Sequence, residues 1–123
     1  MPTSIKYLAD LKIVESNYSG VVTPDELQQS MANGIELTTR EKTGLILSDC
    51  TTMLEGHSVV DIFYFLSKID RSVISHITKE AMILPLDPKA AENVKFYETT
   101  CQNRGLNVRS FDDRESALAW LLQ

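Results

Sequence analysis

The chain has 123 residues, 43% of them hydrophobic and 24% charged, which is the balance of a soluble globular domain and excludes a disordered segment. Its net charge of -5 repels phosphate backbones and anionic membrane surfaces, so nucleic acid is not an expected partner. Only Cys50 and Cys101 are present, both inside apolar or helical stretches, so the expectation is reduced thiols in the cytoplasm without a disulfide framework.

A chain of this length buries about two thirds of its unfolded surface and needs no metal or disulfide to hold a core. The N-terminus has no apolar leader, and the most hydrophobic stretch, Val59 to Leu66, is broken by Asp61 and too short for a bilayer. No membrane insertion is expected. Without repeats or a Pro/Gly/Ser-rich linker, residues 1–123 read as one domain.

In chain order, Ser4 to Leu8 and Leu11 to Tyr18 read as a β-hairpin around Ala9-Asp10, with Gly20 closing the second strand. Thr23-Pro24-Asp25-Glu26 is a helix start. Thr23 caps, Pro24 suits the first helical position, and Glu26 completes a capping box. Leu27, Met31, Ile35 and Thr38 continue it as one narrow inner stripe, up to a charged turn at Arg40-Glu41-Lys42. Residues Thr43 to Asp49 then form a continuous apolar run, the pattern of a central parallel strand covered on both faces.

A second helix is expected from Ser58 to Ser72, with Val59, Ile62, Phe63, Leu66, Ile69 and Val73 turned inward. A buried strand follows from Ala81 to Leu86. Asp87-Pro88 starts a third helix with Ala90, Val94, Tyr97 and Cys101 as its inner stripe and Gly105 ending it. Asn107 to Phe111 is the last strand. The run Asp112-Asp113-Arg114-Glu115 caps a final helix that docks through Ala117, Trp120 and Leu121. Strand and helix alternate from Ile13 onward, which is the pattern of an α/β domain with right-handed crossovers and a mostly parallel central sheet.

These residues carry a resemblance. The runs Gly20-Val21-Val22-Thr23-Pro24-Asp25-Glu26-Leu27, Leu45-Ile46-Leu47-Ser48-Asp49, Ala81-Met82-Ile83-Leu84 and Val108-Arg109-Ser110-Phe111, with Phe-x-x-x-x-x-Ala-x-x-Trp-Leu over Phe111 to Leu121, resemble the SpoIIAA-like proteins. These are small bacterial relatives of the STAS domain of anti-sigma-factor antagonists, and they share a strand-helix superhelix with CRAL-TRIO lipid-binding domains. The resemblance covers nearly the whole chain. It implies a SpoIIAA-like fold, an N-terminal hairpin followed by alternating helices and strands, and for a true antagonist a phosphorylatable serine in an Asp-Ser-Ser-Gly-like turn. This chain departs from that turn, with Asp49-Cys50-Thr51-Thr52-Met53-Leu54-Glu55-Gly56-His57-Ser58 in its place. Ser58 is the nearest positional counterpart, and helix capping is the simpler account of it.

Open α/β sheets bind ligands beyond the carboxyl ends of their strands, which makes Asp49, Cys50, Thr51, Thr52, His57 and Ser58 the candidate crevice. A Cys50 nucleophile with His57 as base and Asp49 as orienter needs a thiolate-stabilising environment. No catalytic activity is expected. A receiver-type reading of Asp49 fails because Ile13-Val14-Glu15-Ser16-Asn17 supplies no acidic pair for magnesium. Metal-ligand spacing and phosphate-cradling glycine loops are absent, so no metal or cofactor is expected. The second helix is apolar over a wide arc. Val60, Tyr64 and Phe65, with Phe96 on the third helix, form a candidate apolar interface for a protein partner, a second copy or a small apolar ligand. The expected function is a noncatalytic regulatory or binding module of the STAS-like type, with a carrier of a small apolar or lipid-like ligand as the alternative.

Overall fold

The computed structural model describes residues 3–55 and 59–123, and for residues 59, 63 and 65 the backbone alone. The elements in chain order are β1 (Thr3–Leu8), β2 (Ile13–Val21), α1 (Pro24–Glu41), β3 (Leu45–Leu54), α2 (Val59–Ser67), a 3-10 turn (Arg71–Val73), β4 (Lys79–Ile83), α3 (Pro88–Asn103), β5 (Val108–Phe111) and α4 (Arg114–Leu121). One five-stranded sheet runs in chain order, β1-β2-β3-β4-β5. The hairpin β1–β2 is antiparallel and every later pair is parallel. This is the α/β architecture that the alternation predicts.

Three parallel steps in the same direction, each made by a right-handed crossover, put α1, α2 and α3 on one face of the sheet. The opposite face is left to α4. The core divides accordingly. One layer packs Tyr18, Cys50, Met53 and Met82 against Ile62 and Leu66 of α2 and Val94, Tyr97 and Cys101 of α3. The other packs Ile13, Leu47, Ala81 and Ile83 against Ala117 and Leu121 of α4, with Trp120 and Phe111 at its edge.

Helix α1 begins at the expected capping box. The Thr23 N–H donates to Glu26 Oε1 at 3.0 Å, and the Glu26 N–H donates to Thr23 Oγ1 at 3.2 Å. It continues to Glu41 before Lys42, at φ 55°, ends it. Its buried line is Ser30, Gly34, Leu37 and Thr38, which corrects the expected stripe. Small residues let α1 approach the hairpin closely, and a Cβ on Gly34 would stand 3.6 Å from Ile5 Cδ1. Leu27, Met31 and Ile35 are therefore half-buried on the flank.

The strand boundaries also move. β3 continues past Asp49 because a register shift keeps it paired with β2, where Asn17 faces Asp49 and Ser19 faces Thr52. β4 starts at Lys79 and ends at Ile83, two residues earlier at its start and three at its end than the apolar run suggests. Pro85 has no N–H to continue the regular ladder; on either side of it the Leu84 N–H donates to Phe111 O at 2.9 Å and the Leu86 N–H to Thr51 O of β3 at 3.1 Å, with the Leu86 side chain exposed. α2 ends at Ser67, and Val73 lies exposed in the 3-10 turn capped by Asp70, outside the inner stripe.

Candidate functional site

Strand alternation decides what faces the three crossover helices. Counting by twos along β2, β3 and β4 brings Ser16, Tyr18, Ser48, Cys50, Glu80 and Met82 onto that face, all of them buried. Glu80 is an acid in the middle of an apolar layer. Its Oε2 accepts from Ser48 Oγ at 3.0 Å and its Oε1 accepts from Tyr97 OH at 2.8 Å. Among the described residues no basic side chain offsets its charge, and burial pushes its carboxyl above the ordinary glutamate value of 4.5.

The groups around Glu80 respond in the same sense. Burial, and next the Glu80 charge, push the thiol of Cys50 well up and that of Cys101 up to about 12. The phenols of Tyr18 and Tyr97 are also raised, by burial first. Ser30 Oγ donates to Tyr18 OH at 3.1 Å and extends the polar cluster into α1. All these groups favour their neutral forms, so an ionised Glu80 is the charge this interior would have to hold.

Two narrow pockets meet at Glu80 and Tyr97. One, of about 30 Å³, reaches toward Tyr18, Cys50 and Met53. The other, of about 50 Å³, reaches toward Ile46, Ile74 and Leu106. Met31 of α1 borders both. It also borders a much larger cleft of about 400 Å³ between α1 and α2, lined by Ile35, Tyr64 and Ile69, with Asp25, Asp61 and Lys68 around it. The cleft exists because α1 turns its small residues to the hairpin and its larger apolar ones to this flank. α2 meanwhile packs more extensively against α3 than against α1.

The candidate crevice residues are distributed along a strand. Asp49, Cys50, Thr51 and Thr52 all belong to β3, because the strand outlasts its apolar stretch. Asp49 Oδ1 accepts from the Thr51 N–H at 3.0 Å and from Thr51 Oγ1 at 2.6 Å, an arrangement closed within the strand. Cys50 points the other way, into the helix-covered layer, where its raised thiol is the opposite of what a nucleophile requires. Thr52 is exposed. His57 and Ser58 lie outside the described residues.

Of the candidate apolar interface, Val60 is 71% and Tyr64 61% exposed, so α2 does present apolar surface. Tyr64 carries Lys68 Nζ over its ring at 4.1 Å. Phe96 is half-buried against the first core layer, and the side chain of Phe65 lies outside the described residues. Glu80 is the residue that sequence reading passed over. Starting the strand at Ala81 left it outside the strand. Extending the strand by one residue and counting two back from Met82 would have placed it on the covered face.

On the opposite face, Glu15 is equally buried but paired. Arg114, the first residue of α4, donates to its two oxygens at 2.6 and 3.1 Å. Among the described residues no group of three or more His, Cys, Asp and Glu stands together to hold a metal, and no helix is long and apolar enough to cross a membrane.

The sequence matches no protein-family model and no curated protein. Among solved structures, it is similar to an uncharacterised protein of the DUF3478 family from Shewanella loihica PV-4 with a SpoIIAA-like fold. The two share 18% identity over 97% of this chain and 91% of that one, with a TM-score of 0.59. At that identity the likeness concerns the fold. The chain has a SpoIIAA-like fold, as the resemblance implies.

Proposed function

We propose that the chain is a noncatalytic binding module that works through the cleft between α1 and α2, and that the occupant is a small, largely apolar molecule. The observation that carries this reading is the cleft itself. Its volume of about 400 Å³ falls within the range of about 300–1,000 Å³ typical of small-molecule sites, and Met31, Ile35, Tyr64 and Ile69 line it. The two inner pockets, at about 30 and 50 Å³, hold water-sized groups and nothing larger. A carrier of a bulky lipid would need the helices to part, whereas a short-chain ligand fits the cleft as it stands. Native mass spectrometry of the protein purified from cells tests the reading. Wild type is expected to retain a small-molecule adduct that Ala32→Trp, which fills the cleft from an exposed helical position, loses while keeping its melting temperature. Adduct-free wild type that also takes up no apolar probe would remove the basis for it.

A second reading rests on a different observation, the exposure of Val60 and Tyr64 on α2. An apolar pair on an outer helix face suits a regulatory module that engages a partner protein or a second copy through that helix. Light scattering tests the second-copy form of this reading, which requires a solution mass that is a multiple of the chain mass.

A further inference from the structure

The cleft, the two inner pockets and the buried acid form one series. Met31 borders all three spaces, and Glu80 with Tyr97 borders the inner two. Met31 is half-buried and unbranched, with three rotatable side-chain bonds, so it can swing aside without disturbing the helix that carries it. Behind it stands a carboxyl that receives one hydrogen bond on each oxygen, both from neutral hydroxyls. Each oxygen keeps further acceptor capacity. Around it the walls are Ile62, Leu66, Met82 and Val94.

We propose that Glu80 is the inner end of a ligand site entered from the α1–α2 cleft past Met31, and that the site takes a primary aliphatic amine. The ammonium sits on the Glu80 carboxylate, and the alkyl chain runs along Met31 toward Ile35 and Ile69. This rests on the cleft reading above and adds to it the chemistry of the head group. Size and charge select that head. Space beside the carboxyl admits a group no larger than a water molecule, which an ammonium matches and a trimethylammonium or phosphate exceeds. A carboxylate head would meet the Glu80 charge, and a hydroxyl would gain only a neutral hydrogen bond where an ammonium gains a charge-assisted one. The net charge of -5 draws cations toward the protein.

The site also has a pH signature. Tyr18 of β2, Cys50 of β3 and Tyr97 and Cys101 of α3 face the carboxyl, and burial raises all four. The neighbours from α1, α2 and β4, namely Met31, Ile62, Leu66 and Met82, do not titrate. Glu80 is then the group that ionises as pH rises, and amine binding releases its proton. Affinity is expected to increase with pH through the raised value of the Glu80 carboxyl and level off above it.

The test uses n-hexylamine, n-octylamine, hexyltrimethylammonium, 1-hexanol and hexanoate, titrated into the full chain and followed by calorimetry and by the methyl resonances of Met31, Ile35 and Ile69. The amines are expected to bind, with about fourfold gain per added methylene. Hexanol should bind about tenfold or more weakly, and the quaternary and anionic probes not measurably. Glu80→Gln keeps the shape and its hydrogen bonds with Ser48 and Tyr97, and is expected to lower amine affinity about tenfold or more and to flatten its pH dependence. Met31→Phe, which narrows the passage, provides a second variant at a half-buried position. Equal binding of all heads, or amine binding that Glu80→Gln leaves unchanged, overturns the Glu80 assignment while methyl shifts in the cleft keep the cleft reading. No methyl shift with any probe overturns both.

Discussion

Glu15 and Glu80 lie on opposite faces of the same sheet, each almost wholly buried, and they are handled in opposite ways. Glu15 faces α4, whose first residue brings a guanidinium onto both of its oxygens. That hydrogen-bonded pairing holds the carboxyl below its ordinary value, against the effect of burial. Glu80 faces α1 to α3 with two hydroxyls and no cation among the described residues, so burial prevails and the carboxyl is pushed up. The comparison separates two roles for a buried acid. Glu15 ties the last helix to the second strand, which are far apart in the chain and share no crossover. Glu80 fastens less, and where Glu15 has an arginine against it, Glu80 borders two narrow pockets.

The largest expected effect breaks the first half of that contrast. Arg114→Met leaves Glu15 buried and uncompensated, and it is expected to lower stability by about 2–3 kcal/mol in urea unfolding. That is below the full range for a broken buried pair because the guanidinium is half open to water. Removing the acid as well, with Glu15→Met in the same chain, should recover most of the loss. If the single variant is as stable as wild type, Glu15 is not held by Arg114 and the two acids do not differ in the way described.

Next in size is the Glu80 hydrogen bond from α3. Tyr97→Phe removes the donor to Oε1 and is expected to lower stability by about 1–2 kcal/mol. Glu80→Gln, which keeps partners for both hydroxyls, should be within about 1 kcal/mol of wild type. The sign of its difference depends on pH. The folded value of Glu80 is raised, so the stability it contributes is full below 4.5 and is lost as pH rises through the raised value. The folded value of Glu15 is lowered, so its contribution is full above 4.5 and is lost as pH falls through the lowered value. Urea midpoints from acid to neutral pH should therefore show Glu80→Gln gaining on wild type as pH rises and Glu15→Gln losing ground. Parallel curves for the two variants would remove the distinction.

Much of this contrast was hidden from the sequence for a physical reason. Capping and periodicity are local, so the start of α1 at Thr23, the stripe of α3 and the docking of Ala117 and Leu121 could all be read directly. Where a strand ends depends on its neighbours. β3 reads as ending at Asp49 because its residues turn polar there, yet β2 goes on pairing with it to Leu54. β4 reads as reaching Leu86 because its residues stay apolar, yet Pro85 breaks the ladder. That shift placed the candidate crevice on β3 and left Glu80 outside a strand. The pairing of Glu15 with Arg114 joins residues 99 positions apart, and no local pattern encodes it. Likewise the small-residue line Ser30-Gly34 showed nothing apolar to count, although it is what seats α1 on the hairpin and opens the cleft beside it.

The smallest stability effect is expected where the binding effect is large. Tyr64 is exposed and its ring carries the Lys68 ammonium, a contact worth about 0.5–1 kcal/mol at such a site. Tyr64→Lys removes that contact and sets a like charge beside Lys68, so unfolding should shift by no more than about 1 kcal/mol. The same substitution places an ammonium on the wall of the cleft, where it competes for the space and repels a cationic ligand. Binding of n-hexylamine should fall well beyond what the stability change explains, while Arg114→Met, on the far face of the sheet, should bind it as wild type does wherever it is folded. Stability and binding then divide between the two faces as the two acids do. A Tyr64→Lys chain that binds normally would show that the contact surface is not the cleft. If its solution mass by light scattering is also lower than that of wild type, the exposed face of α2 is the contact surface for a second copy.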